Sequence, residues 1–263
     1  MTPTLSNIAA PSAPRHALVT GGGQGIGAAI AHLLVRRGMR VTVLGRRLAT
    51  GQVLAAEPPD LLHAVAADVA NASEVAAAFA DAVARFGRVD VLVNNAGQAE
   101  SAPFLKMDEV LWRRMLDVNL TGTMLCTQAA LPGMLEAGWG RIVNVASTAG
   151  QVGYAYVSAY CAAKHGVVGL TRALALEVAS KGITVNAVCP GYTDTEIVRA
   201  SIERVVAKTG RSEQEARAAF VQSNPQGRLV APQEVADAVA WLCSEGASAI
   251  TGQALSVSGG EVM

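Results

Sequence analysis

At 263 residues, 51% hydrophobic and only 4% aromatic, the chain holds enough apolar material for one large domain with a two-sided core. Lys plus Arg equals Asp plus Glu at 21 each, so the chain carries no electrostatic footprint for nucleic acid. No apolar run approaches the roughly 18–20 residues of a membrane span, and the four scattered cysteines, Cys126, Cys161, Cys189 and Cys243, lack metal-site spacing and read as free thiols of a reducing cytoplasm.

The first fourteen residues are rich in Pro, Ser, Thr and Ala, have neither a basic start nor a hydrophobic signal core, and are expected to fray. Beyond them, short β-branched runs alternate with Ala-rich helical stretches, the pattern of right-handed βαβ units. Strands are expected at 17–20, 41–44, 61–66, 89–93, 142–146, 184–188 and 254–257, and helices at 25–37, 73–86, 108–135, 156–180 and 232–243. The piece between Leu48 and Asp60 ends in Pro58–Pro59 and gives only a weak helical signal. Residues 195–224 form a charged, helix-prone insert that follows no strand and is broken at Gly210; it is the expected mobile, substrate-covering element. No linker or repeat divides the rest. The expected fold is α/β: a single doubly wound, Rossmann-type domain over 15–263 with about seven parallel strands.

Candidate site residues fall at the strand ends. Thr20, Gly21, Gly22, Gly23, Gln24, Gly25, Ile26 and Gly27 join the first strand to the first helix. Glycines there permit a tight turn and close approach of a pyrophosphate, and the helix amino end supplies N–H donors for it. About twenty residues on, an acidic residue would hold the ribose 2′-hydroxyl of NAD. This chain has Arg46 and Arg47 instead, whose planar forks suit the 2′-phosphate of NADP or are simply solvated. NADP(H) is therefore favoured, with NAD(H) possible. Asp68, followed by Val69, is placed to accept from an adenine amino group or to start a helix. Asn94, Asn95, Ala96 and Gly97 end the fourth strand with small residues that leave space for a ribose.

Ser147, Tyr160 and Lys164 have the parts of a proton-transfer site. Four residues apart on a helix, Lys164 can approach the Tyr160 phenol and draw its pKa down toward the working range. Ser147, after the apolar run of the fifth strand, can hold a substrate oxygen beside that phenol. Tyr154 and Tyr156 lack a Lys four residues later and read as substrate-loop aromatics or plain packing. His165 is expected to face away from Tyr160, and Cys161 to be a small packing residue.

In this order and spacing the pieces resemble the single-domain short-chain dehydrogenase/reductase family, over nearly everything from about 15 to 261. The carriers are T-G-x-x-x-G-x-G at 20–27, Asp68, N-N-A-G at 94–97, Asn119, Ser147, Y-x-x-x-K at 160–164 and Pro190–Gly191. The resemblance implies a tetrad. Tyr160 donates a proton to a carbonyl oxygen, Ser147 polarises that oxygen, Lys164 binds the nicotinamide ribose, and Asn119 kinks its helix and holds a water. It further implies nicotinamide contacts at Pro190, Gly191 and Thr193, where Thr departs from the more frequent Ile or Val, and a phosphate contact at Thr195. Gln24 stands where many NADP-using members carry a basic residue. Substrate contacts are expected from Ser147, Gln151, Tyr154, Tyr160 and Tyr192.

The stretches 147–169 and 182–191 look like bacterial 3-oxoacyl reductases and aromatic polyketide ketoreductases. The expected activity is NADPH-dependent reduction of a 3-oxoacyl thioester or related ketone. The alternatives are an NAD-dependent dehydrogenase of a cyclic, aryl or steroid-like alcohol and, more distantly, a non-catalytic dinucleotide sensor. A small-molecule substrate is the expected partner, with no metal, no membrane and no nucleic acid. Long helices at 108–135 and 156–180 resemble those that pair across subunits, implying a dimer or tetramer.

Overall fold

Strands covered on both faces need apolar side chains in both directions, and the short Val-, Leu- and Ile-rich runs supply them. In the computed structural model, which describes residues 14–46 and 57–263, they form one seven-stranded sheet. The strands are β1 (His16–Thr20), β2 (Arg40–Gly45), β3 (Leu62–Ala66), β4 (Val91–Asn94), β5 (Gly140–Val145), β6 (Ile183–Pro190) and β7 (Ala254–Val257). All pairings are parallel, in the order β3-β2-β1-β4-β5-β6-β7. The order reverses between β1 and β4, and that switch point opens a crevice at the carboxyl edge of the sheet.

Eight α-helices are described: α1 (Gly25–Arg36), α2 (Ala72–Phe86), α3 (Glu109–Leu116), α4 (Gly122–Ala137), α5 (Ser158–Val178), α6 (Glu196–Thr209), α7 (Glu213–Val221) and α8 (Pro232–Leu242). Alternation along each strand divides the core between the two faces. Ala17, Val19, Val91, Val93, Val143 and Val145 pack with Ile30 and Leu34 of α1 and Val235 and Val239 of α8. Leu18, Leu92 and Ile142 pack with Phe79 of α2, Met134 of α4, and Leu174 and Val178 of α5. Each such Val, Leu, Ile, Phe or Met side chain, fully buried, contributes roughly 1.5–3 kcal/mol.

The expected helix over 108–135 is interrupted. Residues Asp117–Thr121 form a wide π turn between α3 and α4, where Asn119 Nδ2 donates to Met115 O at 2.9 Å. The helix expected from 156 begins at Ser158, because Tyr156 adopts a left-handed φ of 68°. The insert is not detached from the strands: it leaves β6 through 191–195, and Thr193 bridges to Val230 on its return. It contains α6 and α7, parted at Gly210 with φ 69°. The frayed tail and the weak helix between 48 and 60 lie mostly outside the described residues; 57–60 form bend and turn. Among the described residues, no helix is long and apolar enough to cross a membrane.

Candidate active site

The loops after β1 and β4 are laced together. Thr20 Oγ1 accepts from the N–H groups of Asn95 and Ala96, both at 3.0 Å. Asn95 Nδ2 returns bonds to Thr20 O at 3.0 Å and Gly21 O at 3.2 Å. The lacing leaves no room for side chains: a Cβ on Gly21 would lie 2.9 Å from Ala96 Cα, and one on Gly27 only 2.2 Å from Gly21 O. At the amino end of α1, Gln24 makes no side-chain capping bond and the first turn holds no acidic residue. Its N–H donors thus face an anion site. Thr195 closes over the loop, its Cγ2 3.3 Å from the Cβ position of Gly25. This cradle fits a dinucleotide pyrophosphate.

Gly23, Ile26, Arg46, Asp68, Val69 and Gly97 continue the same cleft wall. Arg46 is exposed at the end of β2, and Arg47 lies outside the described residues. Asp68 does not cap α2; Asn71 does, accepting from Ser73 and Glu74 N–H groups. The Asp68 carboxylate instead accepts from Ala70 N at 3.0 Å while lining the cleft.

Packing brings the proton-transfer residues together from three elements. Ser147 follows β5 and accepts from Ala149 N at 3.1 Å. The short turn it starts presses on α5, where a Cβ on Gly150 would lie 2.7 Å from Lys164 O. Gly166 lets the π turn approach α5, since a Cβ there would lie 2.8 Å from Leu120 Cδ2. Asn119 is fully buried. Its Nδ2 donates to Gln98 O at 3.0 Å, and its Oδ1 accepts from Gln98 N at 3.2 Å. Gly97 is wedged between Asn119 and Lys164, whose Oδ1 and Nζ lie 2.8 and 3.6 Å from its Cβ position.

The electrostatics correct one expectation. Lys164 does not draw the Tyr160 phenol down: burial pushes it up to about 12, opposed by a hydrogen bond from Ser147. The ammonium lies 5.7 Å from the Tyr160 ring centroid and donates to Val145 O at 2.9 Å. Burial also holds Lys164 itself down at about 8, so it stays mostly charged at neutral pH. Tyr160 therefore stands as a protonated phenol at neutral pH.

The cleft, about 1130 Å³, continues from Tyr160 toward the insert. Tyr154, Tyr156, Tyr192 and Phe220 line it, with Tyr192 edge-on to Tyr154 and Phe220 at centroid distances of 6.3 and 5.1 Å. Pro190, Gly191 and Thr193 line the same cleft, and Thr193 Oγ1 donates to Gly191 O at 3.0 Å. Gln151 is placed elsewhere. Its amide donates to Ala254 O at 3.1 Å and accepts from Ser256 Oγ at 2.9 Å, so it is committed to β7 rather than to the cleft. His165 turns back to Cys161 O at 2.9 Å, away from Tyr160.

Several cleft residues carried no motif in the sequence. Arg204 and Lys208 lie on the cleft face of α6, four residues apart; only that spacing could have paired them. Thr148 bonds Tyr154, and Gln98 bonds Asn119. Both contacts join loops, and no local pattern announces them.

The short chain dehydrogenase family profile matches residues 15–205. A cis-4-hydroxycyclohexanecarboxylate dehydrogenase of Sinomonas cyclohexanicum is 45% identical, over 94% of this chain and 96% of that one. A 3-oxoacyl-(acyl-carrier-protein) reductase of Vibrio cholerae is 39% identical, over 94% and 97%. The solved structure of an actinorhodin polyketide ketoreductase variant with NADPH superposes with a TM-score of 0.89 at 42% identity, covering 94% of this chain and 97% of the other. The chain belongs to the short-chain dehydrogenase/reductase family, close to polyketide ketoreductases and 3-oxoacyl reductases. It is an NAD(P)-dependent oxidoreductase acting on CH–OH groups.

Proposed function

We propose that the protein reduces a ketone to a secondary alcohol with NADPH, the ketone being a 3-oxoacyl thioester or a close relative. The observation that carries this reading is the convergence of Ser147, Tyr160 and Lys164 on one cleft beside Gly97, with the Tyr160 phenol kept protonated by burial and so able to donate at neutral pH. A carbonyl oxygen in the cleft accepts the Tyr160 Oη proton while the Ser147 hydroxyl polarises it. Lys164, joined to Val145 O, stands beside Gly97, where a ribose would lie. Gly21, Gly25, Gly27 and Thr195 would hold the pyrophosphate, Asp68 and Val69 the adenine, and Arg46 a 2′-phosphate. When bound, the cofactor supplies the hydride; the chain's own share is alignment and proton delivery.

The thioester reading is supported by Arg204 and Lys208 on the cleft wall. The Arg204 guanidinium bonds Ala200 O and Ser201 Oγ rather than a carboxylate, whereas Arg199 and Arg228 hold Asp194 and Glu234. Two such cations suit the phosphate of a phosphopantetheine arm. A second reading, oxidation of a cyclic secondary alcohol with NAD, is favoured by the Tyr154–Tyr192–Phe220 wall, which suits a ring, and by Gln24 in the phosphate loop.

The domain is taken as 15–263, with 195–224 covering the substrate. Free thiols at all four cysteines suit a cytoplasmic setting. Loss of reduced-nicotinamide absorbance with acetoacetyl-CoA, run with NADPH and NADH, tests the reading. Consumption of NADPH over NADH, with that preference reduced in Arg46→Asp, is expected. Activity confined to alcohol oxidation with NAD would overturn it.

A further inference from the structure

The carboxyl-terminal turn packs on the far end of the α6–α7 insert. Gly259 and Gly260 have φ of 64° and 94°. A Cβ on Gly259 would lie 2.2 Å from Asn224 Oδ1, and one on Gly260 3.2 Å from Pro225 Cγ. Asn224 is buried and braces the loop after α7, donating to Arg228 O at 2.7 Å and accepting from Gln226 N at 2.8 Å. Ser258 Oγ accepts from Val262 N at 3.2 Å and closes the turn. So held, Glu261 projects into a three-way junction. Its Oε1 accepts from Tyr154 Oη and from Ser223 Oγ, both at 2.8 Å, and its Oε2 lies 2.7 Å from the Cβ position of Gly191.

This one carboxylate therefore meets the substrate loop, the end of the insert and the turn after β6. Tyr154 has a single phenolic proton. With Tyr154 Oη donating that proton to Glu261, its oxygen is left to accept from Thr148 Oγ1 at 2.9 Å, so the ring is fixed at both edges of its hydroxyl. Burial, opposed by Thr148 and reinforced by Glu261, keeps this phenol well above its ordinary value and the proton in place. Tyr154 in turn sets Tyr192, which sets Phe220 of α7.

We infer that Glu261 is a positioning residue for the ketone, clasping Tyr154 and the α6–α7 insert so that the aromatic wall meets the substrate opposite Tyr160. The assignment rests on the ketone-reductase reading and adds to it the element that shapes the substrate end.

Steady-state kinetics on acetoacetyl-CoA with NADPH, for Glu261→Ala, Glu261→Gln, Tyr154→Phe and the Glu261→Ala/Tyr154→Phe double variant, test it alongside hydrogen exchange. Losing a charge-assisted hydrogen bond at the clasp raises the ketone KM about tenfold in Glu261→Ala. Turnover and NADPH affinity change far less. Glu261→Gln, which still accepts both bonds, recovers most of the KM. The double variant is no worse than the poorer single one, because both remove the same contact. Amides of 213–223 exchange faster in Glu261→Ala, a readout independent of turnover. Unchanged KM and exchange in Glu261→Ala, or multiplicative effects in the double variant, would overturn the assignment. A protein inactive on acetoacetyl-CoA would count against the reductase reading alone, and the exchange of 213–223 would still decide the clasp.

Discussion

The side chain with the most at stake is Lys164, only 4% exposed and held at about 8 by burial. Between about 8 and the unfolded value of 10.5, the unfolded chain binds the proton and the folded one does not, so stability rises with pH across that window. Below about 8 both states are charged and the full burial penalty is present. Tyr160 acts in the opposite sense: its contribution is intact below 10 and is lost as pH rises toward about 12. Lys164→Met should therefore be more stable than the wild type at pH 7, by roughly 1–3 kcal/mol, with the gap closing by pH 10.5. Urea unfolding of both proteins across that range checks it; a gap that does not narrow with pH would remove the burial penalty from the account. Sequence spacing was enough to place Lys164 near Tyr160 but not to give the sign of the pKa effect. Helix periodicity carries no information on how deeply a pair is buried or which carbonyl takes the ammonium.

At the scale of elements, the strands were readable because each is a short apolar run, and the phosphate loop because glycine has few other uses between strand and helix. The π turn at Asp117–Thr121 was foreseeable only as a kink at Asn119, since the widening depends on that side chain's bonds to Met115 and Gln98. Gln151 sits four residues after a loop serine and looked like a substrate contact; the hydrogen bond that draws it to Ala254 of β7 spans 103 residues. The buried chain from Thr127 through Asn94 and Asn144 to Thr171 was equally invisible, although it ties α4, β4, β5 and α5 together beneath the site. Glu261 left only an indirect trace, the Gly259–Gly260 pair before it. The most demanding junction is the turn at Gly150 against α5, where a Cβ would meet the Lys164 carbonyl at 2.7 Å. Gly150→Ala should cost roughly 1–3 kcal/mol of stability by overpacking. It should also lower kcat by up to about a hundredfold through displacement of Ser147. Thermal melts and kinetics together test this, and unchanged kcat would show that Ser147 is not positioned by that turn.

For the molecule as a whole, the reversal of strand order at β1 and β4 places the Gly-rich loop after β1, Tyr160 and the insert on one edge of the sheet, and they line one cleft. Outside that cleft, Val110 on α3 and Leu176 on α5 stand 70% and 85% exposed, apolar side chains on the helices expected to pair across subunits. We propose a homodimer or homotetramer; light scattering at working concentration should return that mass, and a monomer would remove the proposal. The central claim remains that Tyr160 is the proton donor of a ketone-reducing site. Its most direct test is Tyr160→Phe, with NADPH binding followed by fluorescence and turnover followed by absorbance on the same preparation. The account predicts unchanged NADPH affinity and a loss of turnover of about 10²–10⁴-fold. Turnover within a few-fold of the wild type, with NADPH bound, would contradict it.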